Sequence, residues 1–229
     1  MRWIAPYLGL IILPLSVFLP FNWVRFVWGF QNGLAPMTPD VLRRAEKVDL
    51  FVWPLRDATV VCLVVLLMRE LGIAAAQVGI HGASWRVAVT WGVAAGLLHI
   101  TLQGIIWVLN PSLRSFKVYS EASKGPLVVW SVIFLAAAFS QEMWLVFCFV
   151  ALRGAGFPTA TSILLTSIAF GAAHFTYRTG ALAVAISGMV SCLLFLVTGS
   201  LLASVLFHYL GNLGSLYWIR QRAKQSLEC

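Results

Sequence analysis

Charge is scarce in this chain: eight Asp and Glu and sixteen Lys and Arg among 229 residues, so that charged side chains make up 10% of it, against about 25% in soluble domains. With 60% hydrophobic residues and a mean hydropathy of +0.88, it cannot hide its apolar surface in water, which excludes a soluble globular domain. Cysteine is also sparse. Cys62, Cys148, Cys192 and Cys229 lack paired metal-ligand spacing, and three of them lie in apolar segments where a thiol behaves as a small hydrophobe. The sixteen basic residues are scattered through short loops rather than gathered on one aromatic-studded surface, which argues against nucleic acid as a partner. Internal repeats, low-complexity tracts and Gly-rich phosphate loops are absent, so the chain reads as one helical bundle.

What is present is a succession of apolar runs. A transmembrane helix needs about 20 mostly apolar residues, and candidate spans fall at 3–24, 50–68, 87–109, 127–152, 159–176, 180–198 and 200–219. The fold class expected is therefore all-α, a polytopic transmembrane bundle of about seven to eight helices. Met1-Arg2 and the following apolar run resemble a secretory signal, but Pro6, Pro14 and Pro20 interrupt the run and no clear small-residue cleavage site follows, which favours a retained first span. Between the first two spans Thr38-Pro39-Asp40 can cap and open a short surface helix carrying Arg43, Arg44 and Lys47.

Basic residues divide unevenly between the two faces. Arg2, Arg69, Arg86 and Arg153 lie on the N-terminal side; Arg25, Arg43, Arg44, Lys47, Arg114, Lys117, Lys124, Arg178, Arg220, Arg222 and Lys224 lie on the other. Four against eleven places the C-terminus in the cytoplasm. The organisation expected is 1–126 as N-terminal transmembrane helices with a surface loop, 127–219 as a core, and 220–229 as a basic tail.

In hydrocarbon an ionisable side chain costs about 2.5 to 3.5 kcal/mol at a helix centre, so each one needs a partner, water or a function. The exceptions are Arg56 and Asp57, His99 and Gln103, Gln141 and Glu142, His174, and His208 with Asn212. Arg56 and Asp57 are adjacent and opposite in charge, and read as satisfying each other. His99 and Gln103 share a helix face and either line a cavity or make an interhelical hydrogen bond.

The C-terminal set carries more chemistry. Phe170 and His174 lie four apart on a face made accessible by Gly171, Ala172 and Ala173, and His208 and Asn212 repeat that spacing on another helix. Glu142 adds a carboxylate from a third helix. Amide hydrolysis needs a base for water and donors for the oxyanion; Glu142 helped by His174 can supply the first, His208 and Asn212 the second. Two histidines and a glutamate can also hold zinc with one open position; spacing does not decide between the two, since the ligands come from separate helices and the His-Glu-x-x-His signature is missing, and the expectation is no cofactor, with zinc as the alternative. The apolar spans put His174 near the cytoplasmic edge and Glu142 and His208 deeper, so their convergence requires tilt, shifted boundaries or a cavity entering from that face.

Over about residues 127–219 the chain resembles the CPBP family of intramembrane proteases, which includes the type II CAAX prenyl endopeptidases and bacteriocin-processing relatives. Phe170 to His174 matches that family's Phe-x-x-x-His motif. His208 to Asn212 matches its His-x-x-x-Asn motif, behind the lead-in Thr198-Gly199-Ser200-Leu201-Leu202-Ala203. The family's Glu-Glu-x-x-x-Arg motif is altered: Gln141 precedes Glu142 and Val146 stands at the arginine position, so the carboxylate's role falls to Glu142, with Gln141 and Phe170 in support. The resemblance implies an endopeptidase of the bacterial inner membrane, with the bilayer and a membrane-anchored or C-terminal-tail protein or peptide as partners. A non-catalytic relative with an immunity or interaction role is the second reading, and a transporter the third.

Overall fold

A computed structural model describes residues 39–80, 84–109, 126–174 and 180–225. Among them there are six α-helices, one short 3-10 turn and no strand: α1 Pro39–Glu70, α2 Trp85–Leu109, α3 Leu127–Gly154, α4 Thr159–Ala173, α5 Gly180–Thr198 and α6 Leu201–Gln225, with the 3-10 turn Ala75–Val78 between α1 and α2. The expected span at 3–24 lies outside the described residues, as do the loop cations Arg25, Arg114, Lys117, Lys124 and Arg178.

Boundaries follow local chemistry. Pro39 opens α1, its fixed φ suited to a first helical position, and the helix then runs unbroken through Pro54 to Glu70. The separate surface helix and span expected there are one element. Polarity up to Lys47 misled the apolar count, because an amphipathic first turn continues a helix as readily as it ends one. Pro126 and Pro158 immediately precede α3 and α4, and Gly199, at φ +63, turns the chain between α5 and α6. Gly79, at φ +75, is held by close approach: a Cβ there would lie 2.6 Å from the Leu201 nitrogen, whose N–H donates to the Gly79 carbonyl at 3.2 Å.

Among the described residues three helices are long and apolar enough to cross a membrane: Trp85–Ile106, Leu127–Gly154 and Ala181–Thr198; Thr159–Ala173 is apolar but shorter. Large apolar side chains such as Trp91, Leu98, Leu102, Leu182, Leu193 and Val197 cover the outside of α2 and α5, which in water would be untenable and in lipid is expected. The chain is an integral membrane protein. α3 lies at its centre, with every residue from 140 to 149 buried, as fits a helix that is apolar all round. α1 packs on α3, α2 on α6, and α4 on α5, while α3 also meets α6, α4 and α5.

The α2–α6 seam is close because it is lined by glycine. A Cβ at Gly92 would meet the Ala203 carbonyl at 2.7 Å, one at Gly96 the Leu210 side chain at 2.7 Å, and one at Gly211 the His99 ring at 2.8 Å. In lipid, where no hydrophobic force draws helices together, such small residues supply the packing. Gln103 crosses the same seam, its amide N–H 3.1 Å from His99 Nε2 and donating to the Gly211 carbonyl at 3.3 Å. His99 and Gln103 thus form an interhelical hydrogen-bonded contact.

Candidate active site

At the middle of α3, Glu142 is 1% exposed, and two donors from other helices converge on one of its oxygens. His208 Nδ1 of α6 lies 2.7 Å from Oε1, and Ser191 Oγ of α5 donates to the same atom at 3.0 Å. Ser204, one turn before His208 on α6, donates to the Ser191 carbonyl at 3.0 Å. A carboxylate in apolar surroundings persists only when such bonds replace water. Its second oxygen, Oε2, is buried and accepts no hydrogen bond.

His174 caps the C-terminus of α4. Its Nδ1 lies 2.8 Å from the Phe170 carbonyl; since a carbonyl only accepts, Nδ1 carries the proton and Nε2 of the neutral ring is an acceptor. The Phe170 ring stands edge-on to both imidazoles, its centroid 4.9 Å from that of His174 and 6.0 Å from that of His208. Depth is no obstacle to this meeting. Twelve residues separate Glu142 from Gly154 and fifteen separate His174 from Thr159, or about 18 and about 22 Å at 1.5 Å per residue down two helices that share a turn.

The partnership differs from the expected one. His208, expected to serve with Asn212 as an oxyanion donor, is the group bonded to Glu142, while His174 is joined to this pair through Phe170. Asn212 lies one turn beyond His208 on the same stripe of α6, half-buried, and no hydrogen bond ties it to Glu142 or His208. Gln141 is buried on α3 about 100° around from Glu142, and Val146 is fully enclosed one turn further on. Ser191 and Ser204 were not singled out in the sequence. Their only signal is a hydroxyl within an apolar span, which is commonplace in membrane helices.

Away from this pair, Arg56 and Asp57 are buried and bonded to one another, Nε and Nη2 donating to Asp57 Oδ1 at 2.9 and 2.7 Å, with the guanidinium 5.2 Å from the Trp53 ring centroid. Among the described residues no three His, Cys, Asp or Glu side chains gather as a metal-holding group.

A polytopic helical membrane protein with an enclosed carboxylate–imidazole pair at its centre is the class these features define. Residues 123–214, from just before α3 into α6, match the family model described as Type II CAAX prenyl endopeptidase Rce1-like. The matched segment is similar to that family, and it contains Glu142, Phe170, His174, His208 and Asn212. Neither the curated proteins nor the solved structures give a match to the chain.

Proposed function

We propose that the protein is an intramembrane endopeptidase that hydrolyses a peptide bond near the C-terminus or membrane anchor of a protein or peptide substrate, using water activated at the Glu142–His208 pair. The 2.7 Å contact between Glu142 Oε1 and His208 Nδ1 carries this reading: it couples a carboxylate to an imidazole in a low-dielectric interior, where their interaction is strong and the pair can move a proton. His174 offers an acceptor nitrogen beside the same Phe170 ring, and the Asn212 carboxamide a donor one turn from His208, suited to a developing oxyanion. The chemistry is carried by side chains, without a metal. The Rce1-like match supports a tail-bearing substrate in the membrane. The four-to-eleven division of basic residues supports a C-terminus in the cytoplasm.

The test is cleavage of tail-bearing peptides by purified wild type, Glu142→Gln and His174→Ala proteins in detergent or nanodiscs. Activity in the wild type that is lost in both variants supports the site, whereas cleavage that survives both changes rejects it. One observation favours a second reading, a non-catalytic binding protein: Gln141 and Val146 stand where the resembling family has glutamate and arginine. That reading predicts that wild type and Glu142→Gln bind the same tails with equal affinity and that neither cuts them.

A further inference from the structure

We infer that the proton acceptor is His208 Nε2, and that Glu142 is a positioning residue which, with Ser191, holds the ring. The inference rests on the proposed hydrolysis and divides its labour. Glu142 Oε1 is engaged twice, by Ser191 Oγ at 3.0 Å and by His208 Nδ1 at 2.7 Å, so it is fixed in place and its lone pairs are used. Oε2 lies in a fully buried site with no hydrogen-bond partner. The side chain of His208 is 14% exposed, that of Glu142 only 1%. Of the two groups, the imidazole is the more accessible.

A carboxylate that accepts from Nδ1–H selects the tautomer whose lone pair is on Nε2, and stabilises the imidazolium formed when Nε2 takes a proton. Ser191 is itself held, because Ser204 donates to its carbonyl at 3.0 Å. Ser204 and His208 are one turn apart on α6, so the helix that carries the imidazole is pinned at the residue that fixes the carboxylate. In the reaction, a water proton passes to Nε2 while Nδ1–H stays on Glu142 Oε1. The water oxygen bonds to the scissile carbonyl carbon, whose π electrons move to the carbonyl oxygen. On collapse the C–N bond breaks and the proton on Nε2 goes to the leaving nitrogen, giving a carboxylic acid and an amine with the ring restored.

Two measurements decide it. In steady-state cleavage of a tail peptide, His208→Ala should lower kcat at least tenfold more than Glu142→Gln, because a residue that orients a base costs less to alter than the base itself, by roughly 10- to 100-fold. Ser191→Ala should lower kcat with KM unchanged, and Ser191→Thr, which restores the hydroxyl, should recover it. A loss on Glu142→Gln as large as that on His208→Ala overturns the inference while leaving the protease reading intact. Wild type that cuts no tail overturns the protease reading, and the second measurement still applies. In 15N-histidine-labelled wild type, with His208→Ala identifying the resonances, the ring should carry its proton on Nδ1 and none on Nε2. A proton found on Nε2, alone or together with Nδ1, overturns the assignment.

Discussion

Replacing Gly211 by alanine adds one methyl at the point where α6 meets α2, and the structure lets its cost be worked out. The new Cβ would lie 2.8 Å from His99 Nδ1 and 3.0 Å from Cε1, so the ring must retreat by about 0.7 Å to regain an ordinary contact of about 3.5 Å. It is not free to do so. Its Nε2 is held 3.1 Å from the Gln103 amide, and its face stacks on Phe207 at 5.1 Å. Overpacking of this kind costs about 1–3 kcal/mol, and an interhelical hydrogen bond in a membrane about 0.6 kcal/mol more. Against this, alanine is better than glycine inside a helix by about 0.8–1 kcal/mol. The balance is a destabilisation of about 1–3 kcal/mol, or a Tm lower by about 2–12 °C for a chain of this size. Thermal unfolding in detergent can be followed by a thiol-reactive dye, since Cys148 and Cys192 are buried and react only on opening; exposed Cys62 and Cys229 would be replaced by serine. Removing the ring should relieve the clash, so the change should cost less in a His99→Ala background. A Gly211→Ala protein that melts at or above wild type, or a cost identical in both backgrounds, would refute the reasoning.

Gly92→Ala should cost more than Gly211→Ala in the same melts, because its Cβ would meet the Ala203 backbone carbonyl at 2.7 Å and backbone cannot step aside. Gly154→Ala, with nothing within 4 Å of the added carbon, should be neutral or stabilising by up to about 1 kcal/mol. Asp57→Leu removes the carboxylate bonded to the buried Arg56 guanidinium and should destabilise by up to about 3–5 kcal/mol, most of which the Arg56→Leu/Asp57→Leu double variant should recover. Cleavage by wild type should be unchanged by a strong chelator; activity lost to the chelator and restored by zinc would move the chemistry to a metal.

Helix existence was legible in the sequence because apolar runs of membrane length have few alternatives: α2, α3 and α5 lie within two residues of the expected boundaries. α1 was not, since hydropathy reports where lipid contact starts and not where hydrogen bonding starts, and Pro39 opens the helix eleven residues before the apolar run. Glu142 stood out in the sequence as an acid that hydrocarbon penalises. Which imidazole meets it could not be read, because the i, i+4 rule fixes faces within one helix but is silent on how far one helix is rotated against another. Gly92, Gly96 and Gly211 set α6 against α2, and glycine in an apolar span says that something comes close without saying what.

The same dependence explains why the buried polar pair lies where it does. Hydrogen bonds of 2.7 and 3.0 Å reach Glu142 from two different helices, so α3, α5 and α6 must be registered to within a fraction of an ångström, or the carboxyl group loses its partners in an apolar interior. Apolar side chains alone do not enforce that, since lipid solvates them as well as protein does. Glycine does so by admitting particular neighbours: a Cβ at Gly188 would crowd Phe170 Cδ1 at 3.1 Å and Leu145 Cδ1 at 3.3 Å, and one at Gly171 would strike the Ala181 carbonyl at 2.7 Å. Gly171 thus sets α4 against α5, Gly188 seats the Phe170 ring, and that ring packs on both imidazoles. Small residues with no chemistry of their own therefore decide where Glu142, His174 and His208 stand, and enlarging Gly188 should displace the imidazoles from one another before it unfolds the bundle.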